Sequence, residues 1–121
     1  MPEFRTAPGQ SPMMPGAVRA GNLVYTSGIA AASVLAGEAS PFARQAAEAM
    51  AGLLEALAVV GAGPEHVVKL EAFLASAEHF AAWNEEFLRV WPEPGPGRIT
   101  LVSGFAMPAM LIELQAIAVV D

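Results

Sequence analysis

Arg98 is the first residue of this sequence whose type and position together indicate binding chemistry. The chain has only six lysine and arginine residues, and Arg98 follows the proline- and glycine-rich stretch 91–97 at the start of a predicted strand. A guanidinium group binds a carboxylate through two parallel hydrogen bonds, and a rigid preceding loop limits the entropy lost in positioning it. Arg98 is therefore a candidate carboxylate ligand, and a surface salt bridge is the simpler alternative.

Ser27 and Gly28 form a second candidate because they end another predicted strand. A hydroxyl group there can hold a ligand or a water molecule beside an accessible glycine amide, whereas the simpler alternative is a serine that closes a turn. Neither histidine is placed to activate Ser27 as a nucleophile. His66 begins a predicted strand and His79 lies in the first turn of a predicted helix, so both are expected on the surface.

Glu113 and Gln115 share one face of the last predicted strand, because side chains two residues apart on a strand point the same way. Three uses are open for this pair: contact with a ligand, pairing with Lys69 in the sheet, or mutual hydrogen bonding across an interface. A structural role is favoured for Glu113.

Composition excludes or disfavours several kinds of site. The chain has no cysteine, which excludes disulfides, thiolate catalysis and cysteine-ligated zinc. It also lacks the histidine and carboxylate motifs of metal sites and the sequence of a phosphate loop, so no metal or cofactor is expected. The formal net charge is −6 and the cations are scattered. Since nucleic-acid binding needs a basic surface, nucleic acid is not an expected partner.

The hydrophobic content is high for a chain of this size. Of the 121 residues, 55% are hydrophobic and 15% are charged, and the mean hydropathy is +0.47. A small domain of this kind must cover apolar surface with another protein or a membrane. No uninterrupted apolar run approaches the roughly 20 residues of a membrane span, and no signal-peptide pattern opens the sequence. We therefore expect a single domain over residues 1–121 that forms a cytoplasmic homo-oligomer.

The first half of the chain predicts a hairpin followed by a long helix. Two short apolar runs flank Gly21-Asn22, which is typical of a β-hairpin turn. The small residues of 29–40 predict a loop. Ser40 as N-cap and Pro41 at the first helical position predict the start of the helix, and Gly61 predicts its end.

The second half predicts a strand, a helix and two more strands. Alternation of two residue sets favours a strand over His66–Ser76: Val68, Leu70, Ala72 and Leu74 on one face, Val67, Lys69, Glu71 and Phe73 on the other. Ser76 is expected to cap a helix whose aromatic residues pack in the core rather than form a ligand cage: Phe80, Trp83, Phe87. Two strands follow: Arg98–Gly104, Leu111–Val120. This order predicts an α+β domain, a mixed sheet with two helices packed on one face, whose other face is free to contact neighbouring subunits.

Six segments of the sequence have a characteristic order and spacing: Ala20–Gly28, Gly61–Gly63, Val67–Lys69, Phe80–Asn84, Gly97-Arg98 and Ile112–Ala118. Together they resemble the RidA/YjgF family of reactive-intermediate (imine/enamine) deaminases, over nearly the whole chain from about Ala7 to Val120. The resemblance implies a chorismate-mutase-like fold that assembles as a homotrimer with ligand clefts between subunits.

The resemblance also implies an activity and roles for individual residues. Family members hydrolyse small 2-imino and 2-enamino acids to 2-keto acids and ammonia, as 2-iminobutanoate/2-iminopropanoate deaminases do. Arg98 matches the arginine that grips the substrate carboxylate. The remaining matches line the same cleft: Ser27, Gly28, Asn84 and Thr100.

Three positions depart from the family pattern. The glutamate that activates water is Gln115 here, and a glutamine can hydrogen-bond water but cannot accept its proton. Met14 stands where a tyrosine usually caps the cleft, and Ile29 follows Ser27-Gly28 where the family has glutamine. On sequence alone, Gln115→Glu is expected to raise hydrolysis.

Two functions of different classes are thus open. One is a deaminase, with catalysis weakened at Gln115. The other is a non-catalytic protein that binds a small carboxylate metabolite in the same cleft. The ribonuclease activity attributed to the family is a third possibility, disfavoured by the acidic charge balance.

Overall fold

The computed structural model describes residues 4–9 and 13–121. Seven strands of this part form one mixed sheet, in the order β1-β2-β3-β7-β5-β6, with β4 also paired to β7. Only β5 and β6 pair in parallel among these strands. The strands are β1 (Phe4–Ala7), β2 (Ala17–Ala20), β3 (Leu23–Thr26), β4 (Ile29–Ala30), β5 (Val67–Leu74), β6 (Gly97–Val102) and β7 (Ile112–Val119). The α-helices are α1 (Ala32–Leu35), α2 (Phe42–Val59) and α3 (Phe80–Val90).

The predicted hairpin is confirmed, but the predicted loop over residues 29–40 is wrong. β2 pairs with β3 across a turn in which Gly21 has a φ of 63°, a backbone conformation that glycine adopts readily. Beyond Ser27-Gly28 the chain returns to β7 as β4, where Ile29 pairs with Leu114, and then forms α1. A two-residue strand and a one-turn helix are too short to show a hydrophobic period.

The start of α2 differs from the prediction, whereas its end agrees. Pro41, not Ser40, is the N-cap residue, and no side chain caps the helix. The Ser40 hydroxyl instead lies 2.8 Å from the hydroxyl of Ser33. Gly61, with a φ of 85°, follows the end of the helix as expected.

A β-bulge interrupts the predicted alternation at the start of β5 and places Val68 apart from Leu70. The pairing with β7 shifts between Val67 and Lys69, so Val67 is buried and Val68 is 51% exposed. Leu70, Ala72 and Leu74 share one face as predicted, and that face is buried. A bulge adds one residue to the strand and therefore inverts the alternation on one side of it.

The two faces of the sheet differ sharply. The core lies between the sheet and α2 and α3, and it takes in the β7 residues Ile112, Leu114, Ala116 and Ala118. The opposite side, here called the open sheet face, keeps large apolar side chains that are 37% to 50% exposed: Leu23, Tyr25, Ile99, Leu101 and Val119. No helix of the described residues is long and apolar enough to cross a membrane.

Both histidines have structural roles. His66 Nδ1 accepts a hydrogen bond of 2.9 Å from the backbone N–H of Gly63. The His79 ring stacks on Phe42 with ring centroids 4.3 Å apart. Neither residue contacts Ser27 in the described structure.

Gln45 is a buried polar residue that ties α2 to the strand β7. Its side-chain N–H groups donate to the carbonyls of Ser40 and Ala109, at 2.8 and 2.9 Å, and its oxygen accepts from the N–H of Leu111 at 2.9 Å. The residue is fully buried. Three backbone groups therefore depend on one side chain that the sequence pattern did not single out.

We expect Gln45→Met to keep the volume but lower the free energy of unfolding by about 2–5 kcal/mol, because unsatisfied buried polar groups cost about 1–3 kcal/mol each. Urea unfolding of the variant measures this loss, with the exposed Ala47→Met on the same helix as control. A Gln45→Met variant as stable as the control would show that the three hydrogen bonds of Gln45 do not stabilise the fold.

Glu48 links α1 to α2 through contacts that favour its ionised form. Hydrogen bonds from Ser33, whose N–H lies 3.0 Å from Oε1, together with Arg44 lower the pKa of Glu48 to about 2 from its ordinary 4.5. A lowered pKa means that this stabilisation is present above pH 4.5 and is lost as the pH falls from 4.5 towards 2.

Glu48→Gln should therefore flatten the loss of stability on acidification. Chemical unfolding at pH 7, 4 and 3 should show a smaller difference for the variant than for the wild type. The exposed Ala47→Gln on the same helix, which changes no titratable group, should keep the wild-type pH dependence. Parallel pH curves for wild type and Glu48→Gln would show that Glu48 does not carry the effect.

Candidate functional site

Arg98 lies on β6 and points to the helix-covered side of the sheet. Its guanidinium carbon stands 4.1 Å from the centre of the Phe87 ring, and its Nη2 donates to Asn84 Oδ1. Partial burial lowers the pKa of Arg98, although an arginine remains charged at neutral pH. No carboxylate of the described residues forms an ion pair with it. The structure thus gives no support to the salt-bridge alternative.

The anchor groove, as we call it, surrounds this guanidinium. Thr100 follows two residues along β6 and lines the groove, with Asn84 on α3 opposite. Phe80 and Leu88 form apolar walls, and Phe80 is 48% exposed. The prediction that Phe80 belongs to the core is therefore wrong, while Trp83 and Phe87 are buried as predicted.

Gln115 lies in a separate cavity, here called the strand cavity, of about 310 Å³. It is directly opposite Glu71 in the pairing of β7 with β5. Tyr25 and Thr26 on β3 complete the wall. The Thr26 hydroxyl accepts a hydrogen bond of 2.9 Å from the backbone N–H of Ala116. This side-chain contact stands where a regular pair of strands would have a backbone–backbone hydrogen bond.

Ser27 and Gly28 form the interruption between β3 and β4, beside Glu113. A Cβ atom on residue 28 would lie 2.8 Å from Glu113 Cδ. The space next to Gly28 is therefore filled by a carboxyl group of the same chain rather than open to a ligand. Glu113 pairs with Ala30 and Phe73, not with Lys69, whose partner on β7 is Ile117.

Met14 lies apart from both recesses. It is 38% exposed and sits in the arm before β2, against Gly9. It is not among the residues that line the anchor groove or the strand cavity.

Within one chain the predicted site residues do not come together: Arg98, Asn84 and Thr100 form one group and Gln115 belongs to another. Ser27-Gly28 and Met14 line neither recess. Arg98 pairs with Leu70, which in turn pairs with Ala116, so Arg98 shares the helix-covered side with the core. Gln115 is on the open sheet face, on the other side. Ser27 is three strands from Arg98, a separation of about 14 Å at the usual strand spacing. A small molecule cannot contact both groups of one chain at once.

Sequence reasoning missed Glu71 altogether. Its partner on β7 depends on a non-local register, which no local pattern in the sequence displays. The described residues contain no group of three or more histidine, cysteine, aspartate or glutamate side chains that could hold a metal ion.

Comparison with known proteins agrees with the fold and the order of these elements. The family model described as Endoribonuclease L-PSP matches residues 5–120. The Schizosaccharomyces pombe protein called "Protein mmf2, mitochondrial" is 35% identical over 107 residues, which cover 84% of this chain and 83% of that protein. A YjgF family member from Neisseria meningitidis has a TM-score of 0.86 and 23% identity, covering 98% of this chain and 96% of that one. RidA from an Antarctic Psychrobacter has a TM-score of 0.83 and 25% identity, covering 98% of each chain. The chain belongs to the YjgF/RidA family, whose sequence model carries the description Endoribonuclease L-PSP.

Proposed function

We propose that this protein hydrolyses small 2-imino or 2-enamino acids to 2-keto acids and ammonia, in a cleft formed between the subunits of a homotrimer. The observation that carries the proposal is the state of Arg98. It is a cation without a carboxylate partner among the described residues, backed by an aromatic ring and oriented by Asn84 in an open groove. Such an arginine is prepared for a carboxylate from outside the chain.

The separation of the two residue groups supports a site shared between subunits. The anchor groove and the strand cavity are on opposite sides of one sheet. A second subunit seated on the open sheet face would cover its exposed apolar residues and bring its own anchor groove towards the strand cavity. In this arrangement the Arg98 group of one subunit and the Gln115 group of its neighbour form one cleft.

The proposed hydrolysis requires the cleft only to orient the imino acid and a water molecule. The arginine fixes the carboxylate of the imino acid, and the polar groups of the strand cavity hold the attacking water. Free imines already react with water, so orientation and electrostatic stabilisation contribute directly to the rate. No cofactor or metal is needed for this hydrolysis.

A second candidate function is binding without catalysis. Gln115 favours it, because an amide in the place of the catalytic glutamate accepts no proton. The same Arg98 contact would then hold a carboxylate metabolite in the cleft. Ammonia release from an enzymatically generated 2-iminopropanoate, compared with buffer, separates the two functions.

We extend the proposal to partners and location. The net charge of −6 favours a small metabolite over nucleic acid despite the family description, and failure to bind a heparin column would agree with this. We place the activity in the cytoplasm, although the S. pombe relative is called mitochondrial. Cell fractionation tests that placement.

The oligomer should be a trimer in solution. Light scattering is expected to give three times the 12.5 kDa of one chain, because the open sheet face leaves large apolar side chains to be covered. Leu101→Glu would place a charge on that face and should shift the mass towards one chain. A wild-type mass of one chain would refute the shared cleft.

Arg98→Ala should weaken binding of a 2-keto acid product such as pyruvate by roughly 30-fold to several thousand-fold, because it removes a charge-assisted bidentate contact. Arg98→Lys should recover only part of the loss, since an ammonium group lacks the planar fork. Titration calorimetry measures both.

The matched control for this experiment is Arg89→Ala. Arg89 is an exposed arginine on α3 that pairs with Glu86 rather than facing the anchor groove. It should leave pyruvate binding unchanged. Unaltered affinity in Arg98→Ala would remove Arg98 from the site.

A further inference from the structure

We propose that a recess between α1 and α2 binds a small apolar molecule that carries an ammonium group. The recess, here called the helix pocket, has a volume of about 380 Å³ and is lined by residues of α2, α1 and β4 and by residues 7–9. It shares no lining residue with the anchor groove or the strand cavity. This site is separate from the cleft of the proposed deaminase and does not depend on that function.

One side of α2 gives the helix pocket its shape. The residues of α2 that line it recur at three- and four-residue spacing, which places them on one side of the helix: Glu48, Gly52, Glu55, Ala56 and Val59. Gly52 and Ala56 are the small members of this set. A Cβ atom on Gly52 would lie 3.1 Å from Cγ2 of Ile29 on β4, so the missing side chain lets β4 approach the helix. The recess is thus formed where the side chains of α2 are smallest.

The lining residues are apolar apart from two glutamates. Ile29 is buried, whereas Leu35 of α1 and Val59 of α2 remain 40% and 49% exposed. Ligand pockets in proteins typically measure about 300–1,000 Å³ and are mostly apolar, with a few polar groups that orient the ligand. The helix pocket meets these conditions, and an apolar ligand would remove the exposed leucine and valine side chains from water.

The two glutamates of the helix pocket differ in their partners. Glu48 accepts a hydrogen bond from the Ser33 N–H and pairs with Arg44, so its charge is balanced within the chain. The Glu55 carboxylate is exposed and forms no ion pair or side-chain hydrogen bond with the described residues. No lysine or arginine of the described chain lines the pocket. An apolar recess with an unbalanced carboxylate is complementary to a cation with an apolar substituent.

This combination selects an amine that has no carboxylate of its own. The ammonium group would pair with Glu55, and its substituent would lie over Gly52 and Ala56. An amino acid or an imino acid would bring a second carboxylate towards Glu48 and Glu55, where like charges repel. The helix pocket therefore takes a different class of molecule from the carboxylates that Arg98 is proposed to hold.

The helix pocket is also remote from the surfaces assigned to subunit contacts. Its floor, β4, pairs with β7, and β5 separates β7 from the edge strand β6 that carries Arg98. None of the exposed apolar residues of the open sheet face lines the pocket. A contact through the open sheet face or the anchor groove therefore does not use its lining residues.

Titration of the whole protein, followed by NMR of its backbone amides, tests this assignment. 2-Phenylethylamine is the probe, because it joins an ammonium group to an aromatic ring. It should shift the amide signals of Ala32, Gly52 and Glu55 and leave those of Arg98 and Thr100 in place. The neutral 2-phenylethanol should bind the same pocket about two- to fivefold more weakly, the range that an exposed ion pair contributes. The anion 3-phenylpropanoate should not shift the pocket signals.

Two variants separate the charge from the cavity. Glu55→Gln should weaken binding of 2-phenylethylamine by about two- to fivefold and leave 2-phenylethanol unchanged, because only the amine meets the carboxylate. Ala32→Phe adds a ring at an exposed lining position and should weaken both probes by roughly 10-fold or more, because the ring occupies the pocket. The matched control is Glu85→Gln, which makes the same charge change at an exposed position of α3 and should alter neither probe.

The outcomes decide the proposal without any assay of ammonia release. A wild-type protein whose pocket signals do not move with 2-phenylethylamine overturns the site. Equal losses in Glu55→Gln and Glu85→Gln overturn it as well, because they would show general attraction of a cation by the net charge of −6. Equal affinity for the amine and the alcohol overturns the choice of an amine. If Ala32→Phe does not fold, the signals shifted by the two probes in the wild type still decide where they bind. An inactive deaminase would leave each of these results unchanged.

Discussion

The alternation of side chains along β7 is the constraint on which the rest of the structure depends. β7 lies between β3 and β4 on one side and β5 on the other, so its register is fixed by three partners. One set of its residues fills the core, and the other set supplies Glu113 and Gln115 to the open sheet face. A slip of one residue would exchange the two sets and bury both polar side chains. The Gln45 amide, bound to the backbone just before this strand, helps to fix the register from the helix side.

Much of the fold was predictable from sequence because its signals are local. Gly21 in the hairpin turn and Gly61 after the long helix both have the positive φ that their residue type permits. The residues that share the buried face of β7, and most of those on the buried face of β5, followed from the alternation of side chains along each strand. The errors occurred where a non-local contact decided the outcome. Ser40 bonds to Ser33 instead of capping α2, and the bulge that buries Val67 is defined only by the pairing with β7.

The candidate site was predictable in its parts but not in its arrangement. Arg98 was selected from its type and position, and Asn84 and Thr100 from the resemblance; all three line one groove. Their separation from Gln115 follows from strand order and from which side of the sheet each residue faces, and neither is written in the local sequence. Glu71 drew no attention because a glutamate on a strand usually faces solvent. Its place in the strand cavity depends on the residue opposite, which belongs to a strand about forty residues later in the chain.

The position of Arg98 on β6 has a consequence for dynamics. β6 ends the strand order, so within one chain one side of its backbone has no strand partner, and most of its residues are exposed. Edge strands held by a single neighbour open at a lower free-energy cost than central ones, and their amide hydrogens exchange sooner. Arg98, the proposed carboxylate ligand, is thus carried by an edge strand, whereas β7 is held on both sides. A partner subunit that covered the outer edge of β6 would also steady Arg98, and assembly and ligand affinity would then be thermodynamically linked through this one strand.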